Sequence, residues 1–172
     1  MSLPRVAMVA SALAVLLQAG CGGRTTRPTV TDVGLSLNIS PAVGTPSLPV
    51  VADARVRNTG SARVWHCEGC GCGNGVGLTV LGPDGVAVWL HDPRALLPAC
   101  PDGAVPLEPG GDLGGRLVFT GTLYVAGHPT FPSPTYPAPP GMYTVIARFS
   151  YSTSVPGEWI PLESRATFAW MR

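Results

Sequence analysis

The sequence predicts an all-β chain folded as an antiparallel sandwich, and three observations predict it. Its 22 glycines and 19 prolines divide apolar stretches that are too short for helices. Those stretches alternate apolar and polar residues at period two, as half-buried strands do. Beyond the first 20 residues, no long 3.6-residue periodicity competes with that pattern.

Each element follows in order. Arg5, the apolar residues 6–17 and the small pair Ala19-Gly20 form the charged, apolar and small-residue regions of an export signal, assigned to residues 1–20. The apolar run is too short to span a bilayer and no stop-transfer pattern follows it. Residues 21–32 read as a tether, and residues 33–172 as one domain with a core of its own. In residues 33–40, Val33, Leu35, Leu37 and Ile39 alternate with Gly34, Ser36, Asn38 and Ser40. In residues 50–57, Val50, Ala52, Ala54 and Val56 alternate with Val51, Asp53, Arg55 and Arg57. Asn58-Thr59-Gly60-Ser61 then turns the chain into residues 62–66.

Residues 76–81 and 86–90 form a hairpin across Gly82-Pro83-Asp84-Gly85, where proline sets one turn position and glycine accepts positive φ. Residues 113–120 and 123–126 make the next strand region. Tyr143, Val145, Ala147 and Phe149 mark the strongest late strand, and residues 164–170 close the chain. Seven to nine short strands at this spacing point to a β-sandwich of immunoglobulin type, with a closed barrel as the main alternative.

Charge and composition narrow the function classes. Charged residues make up 12% of the chain and the formal net charge is +1, so no electrostatic footprint for nucleic acid exists. Every one of the eleven basic residues is arginine, which excludes a Schiff-base lysine and a P-loop lysine. His66, His91 and His128 are scattered, with no G-x-S-x-G elbow or H-E-x-x-H helix, and His91-Asp92 reads as a turn. No catalytic residue and no cofactor is therefore expected.

The segment LLQAGC resembles the lipobox of bacterial lipoproteins, which implies lipidation at Cys21 and a membrane anchor. Cysteine parity agrees, because removing Cys21 from five cysteines leaves an even set. Gly22 follows the cysteine in place of the aspartate linked to inner-membrane retention, which favours the outer membrane of a diderm cell. Cys67, Cys70, Cys72 and Cys100 are expected as two disulfides in an oxidising compartment. A bond from Cys67 or Cys72 to Cys100 closes a loop of about 30 residues, which contributes about 3–4 kcal/mol in the chain-entropy model. Three connectivities are open; joining Cys70 to Cys72 is the least comfortable, and Cys67 with Cys70 plus Cys72 with Cys100 is favoured. The alternative is a soft-metal or redox site built from the same four cysteines, with His66 as a further ligand.

Residues 127–141, GHPTFPSPTYPAPPG, form a proline-rich stretch expected to be extended, with Phe131 and Tyr136 as partner-binding anchors or as a lid folded back on the sandwich. The order Arg57-Asn58-Thr59-Gly60, the Pro-Asp-Gly hairpin with Val88-Trp89, Leu107-Glu108-Pro109-Gly110 and Pro140-Gly141-Met142-Tyr143 resembles the immunoglobulin-like domains related to the BsuPI intracellular proteinase inhibitors. That resemblance implies a non-enzymatic binding module of the cell envelope, with proteinase inhibition as its sharper form. The Pro-Gly-x-Tyr element also resembles a tyrosine corner, which implies that the Tyr143 hydroxyl bonds back to loop backbone.

Overall fold

A computed structural model describes residues 32–67, 75–92 and 103–172. Among these residues the chain is all β, with twelve strands and no α-helix. In chain order they are β1 (Val33–Ser40), β2 (Val43–Gly44), β3 (Val50–Asn58), β4 (Val64–Cys67), β5 (Gly77–Leu81), β6 (Ala87–Val88), β7 (Ala104–Leu107), β8 (Asp112–Phe119), β9 (Thr122–Tyr124), β10 (Thr135–Pro137), β11 (Gly141–Ser152) and β12 (Ile160–Trp170). The signal segment 1–20, Cys21, Cys70, Cys72 and Cys100 lie outside the described residues.

Two layers enclose the core. One sheet has the order β1-β3-β8, antiparallel throughout. The other runs β2-β12-β11-β4-β7, with β5 also paired to β11 and β6 paired to β5. The period-two pattern explains the first layer: Val50, Ala52, Ala54 and Val56 of β3 are buried, while Asp53, Arg55 and Arg57 face water. On that wet face Arg55 pairs with Asp112 and Arg116 with Asp53. Between β1 and β2 the chain changes layers. Val43 and Gly44 pair in parallel with Ala169 and Trp170, and Ala169 N–H donates to Ala42 O at 2.9 Å, which closes one flank.

The three short strands β2, β7 and β10 lie outside the strand regions that alternation marks, and they raise the described total beyond the seven to nine anticipated. Each carries or adjoins proline or glycine and is too short to display a period.

An aromatic cluster fills one end of the core. The Phe119 ring lies 4.9 Å from Tyr143, 5.0 Å from Phe168 and 5.0 Å from Trp170, and Tyr143 stacks on Phe168 at 5.4 Å. Such pairs add roughly 0.5–1.5 kcal/mol each beyond area burial. A second cluster, with Val56, Val64, Leu107, Phe149 and Tyr151, fills the other end. Asn58 is fully buried there: its Nδ2 donates to Ala62 O at 2.9 Å and Leu107 O at 3.0 Å, and its Oδ1 accepts from Gly60 N–H at 3.1 Å. The turn expected at Asn58-Thr59-Gly60-Ser61 is thus tied to the strand beyond it. Asp32 O accepts from Thr59 N–H and Thr59 Oγ1, which ties this turn to the residue before β1.

Candidate functional site

Two regions were singled out by sequence, and the fold puts them on the layer built around β11. The first is the cysteine end. β11 pairs with β4 through Tyr151↔His66 and Ser152↔Trp65, and with β5 from Thr144↔Leu81 to Arg148↔Gly77. The chain therefore leaves one edge of β11 at Cys67 and returns to the same edge at Gly77. Where the pairing is broken a cleft of about 410 Å³ opens, lined by Cys67, Gly75, Thr79, Arg148, Ser150 and Trp159 among others. His66 and Cys67 are adjacent in a strand and leave it on opposite faces. His66 is buried beside the Phe149 ring, 5.8 Å between centroids, and Cys67 faces the cleft side. Positions 70, 72 and 100 of the cysteine set fall outside the described residues.

Above the cleft, Glu163 sits between two arginines, accepting from Arg165 Nε at 2.6 Å and Arg148 Nε at 3.0 Å. Those hydrogen bonds, Arg165 first, hold its carboxyl below the ordinary value.

The second region is the proline-rich stretch, which forms the outer half of a hairpin arm. β10 pairs with β9 through Thr135↔Tyr124, Tyr136↔Leu123 and Pro137↔Thr122. Val125 N–H donates to Pro134 O at 2.9 Å and Ala138 N–H to Gly121 O at 2.8 Å. The extended backbone expected from the prolines is thus used as a strand. Asp92 fixes the arm to the body: its carboxylate accepts from Ser133 N–H at 2.6 Å and from Ser133 Oγ at 2.9 Å. Ser133 is 3% exposed, so these bonds are shielded from competing water.

The two aromatic anchors part company on this arm. Phe131 lies on the connecting loop and is 67% exposed. Tyr136 is 42% exposed and, with Pro83, Val88, Leu123, Pro139 and Tyr143, lines a groove of about 320 Å³ in which Phe131 takes no part. Trp89 is also exposed and bridges to Tyr124, adding an aromatic to the base of the arm. The sequence places Trp89 in a hairpin and Asp92 in a turn; the structure adds that Trp89 meets the arm and that the Asp92 carboxylate is bonded to Ser133. No sequence signal links Asp92 to the arm, because 41 residues separate it from Ser133.

The Tyr143 hydroxyl donates to Pro139 O at 2.7 Å, four residues upstream, as a tyrosine corner requires. Burial first, then Tyr136 and Asp84, push its pKa up to about 12. Among the histidines, His66 packs into the core and His128 Nδ1 shares a hydrogen bond with Thr130 Oγ1 at 2.9 Å. No helix among the described residues is long and apolar enough to cross a membrane.

No family model matches the chain. No curated protein matches it either. Among solved structures it is similar to the putative ApaA protein from Bordetella pertussis, with TM-score 0.44 and 13% identity over 82% of this chain and 95% of that one. It is also similar to part of the β-glucosidase EmGH1 from Erythrobacter marinus, with TM-score 0.39 and 16% identity over 81% of this chain and 15% of that one. A β-glucosidase from Listeria innocua gives TM-score 0.36 and 10% identity over 80% of this chain and 16% of that one. The chain thus spans a small part of the glucosidases' length.

Proposed function

We propose that this chain is an exported, lipid-anchored, non-enzymatic binding module of the cell envelope, and that the hairpin arm is its contact surface. The observation that carries this reading is Phe131: a large apolar side chain, mostly in water, on an arm that Asp92 clamps through Ser133. Exposed aromatics on a fixed scaffold favour binding because little conformational entropy remains to be lost. The occupant is a protein of the envelope, and proteinase inhibition is its sharper form, resting on the family resemblance.

The sandwich is of immunoglobulin type in this reading. Its support is the order β1-β3-β8 against β2-β12-β11-β4, the sheet-switching first segment, and the Tyr143 corner. Lipidation of Cys21 supplies the anchor: two or more acyl chains hold a domain stably at a membrane, where one is marginal. The remaining four cysteines pair as two disulfides in this reading, as an even set of thiols in an oxidising compartment favours. Neither cofactor nor nucleic acid enters this function. The non-catalytic reading is supported by His66, which packs in the core, and by Asp92, which fixes the arm.

A photo-crosslinking amino acid at position 131 tests the arm in intact cells. One discrete protein adduct is expected from position 131, none from a control at Thr167, and a weaker adduct when Ser133 is replaced by alanine. Equal labelling from both positions overturns the assignment of the surface. Phe131→Ala is expected to leave stability within about 0.5 kcal/mol, because an exposed side chain contributes little to the fold.

A further inference from the structure

β8 is an outer strand: among the described residues its ladder is formed with β3 alone. Asn58 N–H donates to Gly111 O at 3.0 Å, one step ahead of the Arg57↔Asp112 pair. Antiparallel alternation then turns the backbone groups of Leu113, Gly115 and Leu117 toward β3, and those of Asp112, Gly114, Arg116 and Val118 away from it. Such an edge is a template for another strand.

We propose that β8 pairs antiparallel with β8 of a second copy of this chain, about a two-fold axis at Gly114. In that register Asp112 faces Arg116 of the second copy, and Arg116 faces its Asp112, so the edge is self-complementary in charge. The complementarity extends inward. β3 places Asp53 opposite Arg116 and Arg57 opposite Asp112, so the outer face reads Asp53, Arg116, then Asp112 and Arg57 of the second copy, alternating in sign across four strands.

Gly114 supplies the second argument. An interior strand glycine weakens a sheet, and here the single chain gives no reason for it. A Cβ at Gly114 would meet nothing nearer than Ala54 O at 3.8 Å, and its φ is not in the left-handed region. At a two-fold axis a residue faces its own copy, and glycine leaves that point without bulk or like charge.

The inference does not depend on the anchor or on the arm. Sedimentation of the purified full chain over a concentration series should show a monomer–dimer equilibrium. Asp112→Arg alone and Arg116→Asp alone each oppose like charges across the axis and should be monomeric over the same series. An equimolar mixture of the two restores both opposite-charge contacts and should dimerise. A monomeric wild type, or single variants that still dimerise, would overturn the proposal; the first result leaves the edge to an extended segment of another protein. If either variant fails to fold, amide exchange of the wild type decides. Protection at Asp112, Gly114, Arg116 and Val118 should rise with concentration, and unchanged protection would overturn the pairing.

Discussion

Tyr143 concentrates several constraints in one side chain. Its ring lies between Phe119 and Phe168, and its hydroxyl closes the loop at Pro139. Tyr143→Phe keeps the ring contacts and removes the hydrogen bond, at an expected cost of about 1 kcal/mol, read by urea unfolding. The same hydroxyl sets an alkaline limit. Its pKa rises from 10.0 in the unfolded chain to about 12 in the fold, so the fold keeps a proton that the unfolded chain releases. The associated stability is complete below pH 10.0 and is lost as pH rises toward about 12. Tyr151, also raised by burial, acts in the same direction. Thermal unfolding followed into alkali should show this decline, and Tyr143→Phe should make it shallower. Gly121 is a further test at this scale: its φ is 79° and the Trp170 ring covers the place a Cβ would take. Gly121→Ala should cost about 2–3 kcal/mol, seen as a lower melting temperature and a changed near-ultraviolet spectrum from Trp170.

The arm is the element whose behaviour separates from the rest. It is held by a two-strand ladder, by Ser133 on Asp92, and by Leu123 and Ala138, which pack into the aromatic cluster. Ser133→Ala leaves the backbone bond to Asp92 and removes the hydroxyl bond. Amide exchange should quicken about five- to tenfold at Val125 and Ala138, equivalent to about 1 kcal/mol, while β11 and β12 keep their protection. Legibility in the sequence divides along the same line. β1 and β3 were readable because one face is wet and one dry, which forces the alternation of Val, Leu and Ala with Asp and Arg. The Gly82 to Gly85 turn was readable because its chemistry is local: Gly85 adopts φ 78° and Asp84 accepts from Val86 N–H at 3.0 Å. β2, β7 and β10 were not, since their partners are distant in sequence and their side chains show no period. Ser133 reaches Asp92 across 41 residues, a contact no spacing rule contains. The corner at Tyr143 was legible because it spans four residues.

At the scale of the molecule, the fold separates three surfaces. One flank is sealed where β2 joins β12, the opposite sheet ends in the β8 edge, and β9 and β10 form the arm. Sealing one flank leaves the arm and the β8 edge as places where another chain can add contacts without disturbing the core. In the proposed function this sandwich is joined to a lipid at Cys21 and carries oxidised cysteines, both expected of an exported chain. Intact-mass measurement of the natural protein, taken from the membrane fraction and analysed before and after reduction, tests that claim most directly. The expected product lacks residues 1–20, carries acyl chains on Cys21, and gains the mass of four hydrogens on reduction, two for each disulfide. An unacylated cytosolic product that retains residues 1–20 and whose mass reduction leaves unchanged would contradict it.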